Sequence, residues 1–590
     1  MRLPTYPLTI NPPCFTTRET YLVWSYSGFF KPRPLDPTFR RYDRKIGYFK
    51  RMGNFRASDI RVQDIDHCGI IAGICDEMEL VEQIDRQLGT HPQEIISPGQ
   101  AVKAMILNGL GFVSAPLYLF EKFFVGKATE HLLGQGIRSE HLNDDRLGRI
   151  LDKLHESGLT EIFVTVALSA ARQFGVNINS LHLDSSSFHV DGDYQQQDET
   201  VESGAIHITQ GYSRDHRPDL KQFIVDLMCS GDGDIPLYLR VGDGNETDSA
   251  IFAQLTREFR KQWDIDALFV ADAALYTAGN LAQMEQLRWV SRVPATLTSA
   301  KQLLLDIEPD AFVASSMPTY KIAACGNTYA GIQQRWLVIE SQARLESDKK
   351  LLAKRVAKQL ALATTELKQL SSQQFACKPD AIQAATAFSQ QLPYHQLDDL
   401  QVLEIVQHQR RGRPRKDQVG HKHYQISATL ISKPKAIEVE IQRAGKFILA
   451  TNVLDEQILS DESVLKEYKA QQSTERGFRF LKDPLFFTSS IFLNTPQRVA
   501  AMAMVMGLCL LVYSLGQRAL RQALERANQT VDNQVGKPTT KPTLRWIFQC
   551  FMSIHLLTVE NTKHITNLTS ERLWILQFFG APCRKYYLLS

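Results

Sequence analysis

Apolar residues recur at helical spacing over the first well-patterned part of the chain, residues 60 to 175. Ser97 precedes a proline and an apolar run, and Asn143 precedes a second amphipathic run, so both residues are predicted helix caps. A third apolar run covers Leu159 to Phe174. The pattern predicts a helical N-terminal domain over residues 52–175.

The hydrophobic period changes to two after Ile178, which is typical of strands. Apolar strands that end on an acid are predicted at Ser180–Asp184 and Ala267–Asp272, with a helix over Ser249–Trp263 before the second. Further strands are predicted at 205–209, 222–227 and 236–241. This order predicts the α/β class, with a mixed sheet flanked by helices, and its first part over residues 176–300.

Residues 301–455 interrupt the pattern and predict an α+β insertion domain. A long charged helix without Gly or Pro is expected over Ser341–Ser371. Short strands are predicted at 320–324, 335–339, 436–442 and 447–451. A strong helix over residues 461–482 resumes the interrupted domain, whose second part is predicted at 456–520, and residues 521–590 are predicted to be a helical C-terminal region.

Two segments of the chain have unusual composition. Residues 1–51 are rich in Pro, Arg and aromatic residues and have no sustained period. They are either a basic arm that touches nucleic acid or a poorly ordered leader, and the second interpretation is favoured. Val499–Leu515 is a run of seventeen uncharged residues. A bilayer span needs about 20 residues, so a buried helix is favoured over a membrane protein built around this segment.

Composition sets broad bounds on the class of protein. A length of 590 residues predicts three or more compact units, and 44% hydrophobic with 22% charged residues is ordinary for a globular protein. The net charge is only +3, so total charge does not indicate a nucleic-acid binder. None of the nine cysteines forms a CxxC pair, which argues against a zinc ribbon and fits reduced thiols in the cytoplasm.

Asp184 and Asp272 are the first candidates for chemistry, because each ends a predicted apolar strand. Neighbouring strands would bring the two carboxylates together at one edge of the sheet. Carboxylates are the preferred ligands of hard divalent cations, and a pair of such cations about 3.5–4 Å apart supports phosphodiester chemistry. Aspartates at strand ends are also common in turns, so these two residues alone leave both interpretations open.

The helix predicted over residues 461–482 adds a third acid. Tyr468, Gln471, Glu475 and Lys482 are spaced by three, four and seven residues, so they share one helical face. This face offers a carboxylate for a metal and a cation for a phosphate. A surface pattern of salt bridges would produce the same spacing.

At these residues the sequence resembles bacterial DDE transposases of the insertion sequence four superfamily. Tyr468-x2-Gln471-x3-Glu475-x6-Lys482 is similar to the third-acid signature Tyr-x2-Arg-x3-Glu-x6-Lys of that family. The segments around Asp184 and Asp272 resemble the first-acid and second-acid strands. Two further segments, 211–222 and 244–248, resemble family motifs in the same order. The likeness covers residues 60 to 590 and is strongest to the branch numbered sixteen-thirty-four.

The resemblance implies an RNase H-like fold in which Asp184, Asp272 and Glu475 are catalytic and bind two Mg²⁺ ions, with Mn²⁺ as a substitute. It implies double-stranded DNA as the partner, as transposon terminal inverted repeats and as target. It also implies a homodimer in a synaptic complex, and a cytoplasmic, nucleoid-associated protein without a membrane. The helical N-terminal domain would either bind a transposon end or serve packing alone.

The signature departs from the family at one position, where Gln471 replaces arginine. Glutamine can hydrogen-bond a phosphate but cannot neutralise it. By resemblance, Tyr468 and Lys482 contact the DNA backbone. Arg476 or Arg479 would supply the missing charge, and Arg479 is the predicted DNA contact.

A basic segment at residues 410–416 lies within the predicted insertion. Arg411, Arg413 and Arg415 stand in an Arg-Gly-Arg-Pro context that resembles an AT-hook, whose arginines enter a narrow minor groove. A flexible loop that grips phosphates without sequence preference is the alternative. A DNA-binding protein that derives from a transposase but no longer cleaves DNA is the remaining rival; a cleavage assay with Mg²⁺ would decide.

Overall fold

The computed structural model describes residues 60–589 apart from 113–114, 191–193, 195–204, 213–216, 218, 408–420, 484–492 and 494. All described residues belong to one compact unit, Phe55–Ser590. The predicted leader, residues 1–51, and the predicted DNA contacts Arg411, Arg413 and Arg415 lie outside the described residues.

The described chain alternates helices and strands along most of its length. The helices are α1 (Cys68–Glu77), α2 (Leu80–Leu88), α3 (Pro98–Gly109), α4 (Phe120–Phe124), α5 (Thr129–Leu133), α6 (Asp144–Glu156), α7 (Leu159–Gln173), α8 (Asp248–Trp263), α9 (Ala278–Gln283), α10 (Thr298–Asp306), α11 (Gln342–Ser372), α12 (Lys378–Gln391), α13 (Pro434–Arg443), α14 (Asp461–Ala470), α15 (Gln472–Leu481), α16 (Pro496–Arg526), α17 (Leu544–Cys550), α18 (Ser570–Leu576) and α19 (Ala581–Arg584). The strands are β1 (Ile60–Asp64), β2 (Ser180–Val190), β3 (Lys221–Ser230), β4 (Pro236–Gly242), β5 (Leu268–Ala271), β6 (Arg288–Arg292), β7 (Val313–Ala314), β8 (Tyr320–Tyr329), β9 (Ile332–Ser341), β10 (His395–Gln407), β11 (His421–Ser432), β12 (Lys446–Thr451), β13 (Val531–Asp532), β14 (Pro538–Thr539), β15 (His555–Val559) and β16 (Thr562–Thr566).

The main sheet has, among the described residues, nine strands in the order β4-β3-β2-β5-β6-β12-β9-β8-β7. β2, β3 and β4 form an antiparallel meander, and β5 and β6 continue the sheet parallel to β2. This is the mixed α/β sheet predicted from sequence, and its first five strands have the RNase H-like order and directions. β12, β9 and β8 extend the same sheet antiparallel beyond β6.

Local sequence explains where several helices begin. Ser97 and Gln100 form a reciprocal capping box at the start of α3, and Asn143 accepts the backbone N–H of Arg146 at the start of α6. Both caps confirm the helix starts predicted from sequence.

The long apolar helix α16 is the centre of the core. It has the length and composition of a membrane span, but 89% of its most apolar window is buried inside the protein. Its Arg518 is only 8% exposed, pairs with Asp232 at 2.5 Å, and donates to the carbonyls of Phe174 and Gly175. The buried-helix interpretation of this segment therefore agrees with the structure.

Several sequence predictions of secondary structure are wrong. Residues 434–443 form helix α13 rather than a strand, and no strand forms at 205–209, where Thr209 makes a single bridge to Gln222. The predicted helix over 461–482 is divided at Gln471, since Thr474 donates both its backbone N–H and its hydroxyl to the Gln471 carbonyl. The C-terminal region is not wholly helical, because β15 and β16 join β1 in a three-stranded sheet.

Candidate active site

Asp184 and Asp272 occupy neighbouring positions on two parallel strands. The pairing of β2 with β5 ends at Leu183 opposite Ala271, and the two aspartates follow directly. Adjacent strands are about 5 Å apart, so the two Cα atoms are separated by about that distance. The expected juxtaposition of these acids is therefore present in the backbone.

The prediction that Asp184 ends its strand is wrong, because β2 continues to Val190 along β3. Ser185, the next residue, donates its hydroxyl to the buried carboxylate of Asp226 on β3. What ends at Asp184 is the parallel neighbour β5. That end leaves the Asp184 side chain, which is partly exposed, at an open edge.

Backbone hydrogen bonds orient both aspartates. The N–H of Ser185 donates to Asp184 Oδ1 at 2.9 Å, and the N–H of Ala274 donates to Asp272 Oδ1 at 2.8 Å. The hydroxyl of Ser291 on β6 holds the Asp272 carbonyl at 2.7 Å. Hydrogen bonds of this kind hold one oxygen of each carboxylate in place.

The helices α14 and α15 cross the face of β2 that carries Asp184. Side chains alternate along a strand, so His182, Asp184 and Phe188 lie on one face. Near the start of the crossing, Glu467 Oε2 lies 3.6 Å from His182 Nε2, and this contact lowers the pKa of Glu467. At its end, Lys482 Nζ lies 5.3 Å from the centre of the Phe188 ring.

These two contacts place Glu475 near Asp184. The helical path from Glu467 to Lys482 is about 22 Å long at 1.5 Å per residue. The strand from His182 to Phe188 is about 20 Å long at 3.3 Å per residue. The backbone of Glu475 is about halfway between these two contacts, and so crosses the strand about one residue beyond Asp184. A Cβ added at Gly477, two residues further, would lie 3.7 Å from Leu227, the register partner of Asp184.

The donor set fits a hard divalent cation, since all three side chains are carboxylates. In the part of the chain that the structure describes, however, no three acidic, histidine or cysteine side chains are gathered into a ready metal-binding group. The two aspartates are adjacent in the backbone, and Glu475 has an exposed side chain. The Glu475 carboxylate is therefore not gathered with the two aspartates in this structure.

The other predicted residues of this helix have different surroundings. Tyr468 is half-buried against Phe447, with ring centres 6.1 Å apart. Burial raises its pKa; the guanidinium of Arg292 opposes this rise, and the charge of Asp272 adds to it. Gln471 occupies the junction between α14 and α15, while Arg479 is exposed on α15.

Arg476 does not supply the charge that Gln471 lacks. Its guanidinium forms a two-pronged pair with Asp234, at 2.7 and 2.8 Å. Arg476 and Glu475 are adjacent in sequence, so they lie about 100° apart around the helix. Of the two arginines considered from sequence, Arg479 is the one left without a carboxylate partner among the described residues.

Sequence reasoning missed Arg292, which closes β6 beside the acids. The pairing of β5 with β6 ends at Ala271 opposite Ser291. The next residues, Asp272 and Arg292, are therefore neighbours on adjacent strands, in the same way as Asp184 and Asp272. The Arg292 guanidinium lies 5.7 Å from the centre of the Phe447 ring, and its charge lowers the pKa of Tyr468 against the effect of burial. Within the described residues it has no ion-pair partner. The available signal was its position after an apolar strand, the rule that found Asp272.

Sequence reasoning also missed a charged network on the opposite face of the sheet. Asp226 is 2% exposed, accepts from Ser185, and pairs with Arg240 at 2.9 Å. Arg240 also binds both oxygens of Glu246 at 2.8 Å. Burial raises the pKa of Asp226, while Arg240 and Ser185 oppose that rise. The network fixes β2, β3 and β4 together behind Asp184.

An RNase H-like sheet with two adjacent aspartates, crossed by a helix that carries a glutamate, is typical of metal-dependent enzymes that cleave or join phosphodiesters. The chain belongs to the DDE transposase family: the family model described as "Transposase DDE domain" matches residues 181–513, which include all three acids. It is a DNA transposase, and membership of the family implies dependence on a divalent metal.

Two further comparisons accompany this assignment. A domain family of unknown function, DUF4277, matches residues 60–168, which span β1 and most of the helices before the sheet. A structure described as a cryo-EM structure of the piggyBac transposase synaptic complex with hairpin DNA is 9% identical. Its TM-score is 0.35, over 82% of this chain and 80% of that one, and the assignment does not depend on it. Curated proteins gave no match.

Proposed function

We propose that Asp184, Asp272 and Glu475 are the catalytic acids of an insertion-sequence transposase of the insertion sequence four superfamily, similar to its sixteen-thirty-four branch. The observation that carries the proposal is the register of β2 with β5, which sets the two aspartates side by side under the helix of Glu475. The three carboxylates would hold two Mg²⁺ ions, with Mn²⁺ as a substitute. Such ions, when bound, activate a nucleophilic oxygen and stabilise the leaving oxygen.

The reaction has two chemical steps at this edge of the sheet. In the first, water attacks the phosphorus at the transposon end, the P–O3′ bond breaks, and a 3′ hydroxyl and a 5′ phosphate result. In the second, that 3′ hydroxyl attacks a target phosphodiester, forming a new P–O bond and releasing a target 3′ hydroxyl. The backbone N–H groups of Ser185 and Ala274 would hold the carboxylates of Asp184 and Asp272 in position for both steps.

Several cations would hold the DNA in this proposal. Arg292 stands beside Asp272, and Lys482 and Arg479 follow Glu475 on the helix. Phosphate contacts of this kind position a duplex without reading its sequence. Two copies of the chain would bring two transposon ends together, and the N-terminal helices would contact the terminal repeats.

A cleavage assay tests the proposed function. The full-length protein is incubated with a plasmid that carries its gene and the flanking DNA, in Mg²⁺, Mn²⁺ or EDTA. We expect nicks that map to the two element ends in either metal and none in EDTA. Specific binding to those ends without cleavage in either metal would contradict the proposal and support a non-cleaving derivative.

A further inference from the structure

Helix α11 carries an unusual concentration of positive charge. Residues 349–358 contain five cations, and the sequence has no acid between Asp348 and Glu366. All five side chains are exposed, and none has an ion-pair partner among the described residues. Asp348, the nearest acid before these cations, is already paired with Arg344 at 3.3 Å.

Three of these cations form a row, Lys350, Lys354 and Lys358, and Arg355 lies about 60° further around the helix from Lys358. We call the four residues the α11 stripe. The three lysines are four residues apart, and like charges at this spacing destabilise a helix by about 0.2–0.5 kcal/mol per pair. A helix that needed only solubility would place acids between them. The arrangement is unfavourable in the free protein and is relieved when an anion binds.

The α11 stripe points away from the core. At about 100° per residue, its three lysines fall within an arc of about 80°. The buried residues of α11 are Leu352, Ala363 and Leu367, and they lie on the opposite side of the helix. The three lysines of the stripe therefore face outward along about two turns of helix.

The N-terminal end of α11 lies close to the edge of the sheet that carries Asp184 and Asp272. The Arg344 guanidinium lies 5.5 Å from the Phe447 ring, which packs against Tyr468. Arg344 and Arg355 are eleven residues apart, so they project in nearly the same direction. From Arg344, the lysines of the stripe are about 9 to 21 Å further along the helix. A duplex that reached the acids and followed α11 would meet the stripe within about six base pairs.

We infer that the α11 stripe is a binding surface for the phosphate backbone of double-stranded DNA. The inference deepens the proposed function, on which it rests, by assigning a second DNA contact outside the acids. The surface is distinct from the basic segment 410–416 and from the signature residues of α15. It recognises charge rather than sequence, because flexible lysines on one helix face offer no fixed hydrogen-bonding fork for a base.

The test uses a variant in which Lys350, Lys354 and Lys358 are all replaced by Gln. Its affinity for a random-sequence 40-base-pair duplex is measured by fluorescence anisotropy over a range of salt concentrations. Each lost phosphate contact lowers the slope of log K against log salt by about 0.9, so we expect a loss of about 2 to 3. Affinity near 0.1 M salt should fall by about 10- to 100-fold.

The matched control replaces Lys261, Lys301 and Lys435 by Gln, which removes three exposed lysines from other helices. An unchanged slope in the control, with both variants melting as the wild type does, supports the surface. Equal slopes in the two variants would overturn the inference. If the wild type cleaves DNA in Mg²⁺ while the stripe variant keeps the wild-type slope, only the inference fails. A wild type that binds no DNA would contradict the proposed function instead.

Discussion

Replacing Asp184 by Asn, Asp272 by Asn or Glu475 by Gln is expected to lower the rate of DNA cleavage by about 10³-fold or more. Each change removes the charge that a metal ligand requires but preserves the shape of the side chain. Asp184 and Asp272 are partly exposed and Glu475 is exposed, so stability should change little. Binding to the element ends should therefore persist while cleavage is lost.

The measurement is single-turnover cleavage of a labelled element end, with binding followed on the same DNA. Asp264→Asn is the matched control, because Asp264 is an exposed acid at the end of α8, away from the edge of the acids. Its left-handed backbone, with φ of 50°, is one that Asn also tolerates. Retention of wild-type cleavage by any one of the three variants would remove that acid from the catalytic set.

Replacing Arg240 by Met is expected to destabilise the protein by about 3 kcal/mol, because it leaves the carboxylate of Asp226 buried without its cation. The figure is at the lower end for a broken buried pair, since the Arg240 side chain is 25% exposed and water can partly replace it. Chemical denaturation at pH 7.5 measures the loss. The arrangement of Asp184, Asp272 and Glu475 should be unchanged in the molecules that are still folded.

A second variant separates lost charge balance from lost packing. Asp226→Asn combined with Arg240→Met keeps an acceptor for Ser185 and removes the buried charge, so it should recover a large part of the loss. The deficit of the single variant should also shrink as pH falls. Burial already raises the pKa of Asp226, so the folded form binds the proton more tightly, and the penalty grows as pH rises through that pKa. A deficit independent of pH, with no recovery in the double variant, would contradict this role.

Much of the fold could be predicted from periodicity and caps. Strands β3, β4, β5 and β12 and helices α8 and α11 lie where the sequence predicts them, and the buried Val499–Leu515 segment is the core of α16. Each of these elements combines a clear period with strong boundary residues, so local and tertiary preferences agree.

The failures come from contacts that periodicity does not reveal, some of them long-range and one local. The strand was predicted to end at Asp184, but the hydroxyl of Ser185 bonds Asp226 across the hairpin and β2 continues. The division at Gln471 depends on a hydroxyl bond from Thr474 that periodicity does not reveal. β15 becomes a strand by pairing with β1, nearly five hundred residues earlier, and β16 pairs with β15 as its hairpin partner.

The candidate site shows the same division. Asp272 could be found from its position after an apolar strand, and Glu475 from its helical face. Arg292 also stands at the end of an apolar strand, but its side chain is a cation and not a carboxylate. It was therefore not considered as a metal ligand. Glu246 lies in the 244–248 motif, but Asp226 and Arg240 lie outside the motifs recognised in the sequence, and the pairing of β2, β3 and β4 brings the network together.

The central claim is that the three carboxylates bind the catalytic metal directly, and exchange of each acid for cysteine tests it. Mg²⁺ strongly prefers oxygen ligands, whereas Mn²⁺ accepts a thiolate more readily. We predict that Asp184→Cys, Asp272→Cys and Glu475→Cys each cleave an element end in Mn²⁺ but not in Mg²⁺, while the wild type cleaves in both. Cleavage in Mg²⁺ at the wild-type rate by any of these variants would contradict the claim for that residue.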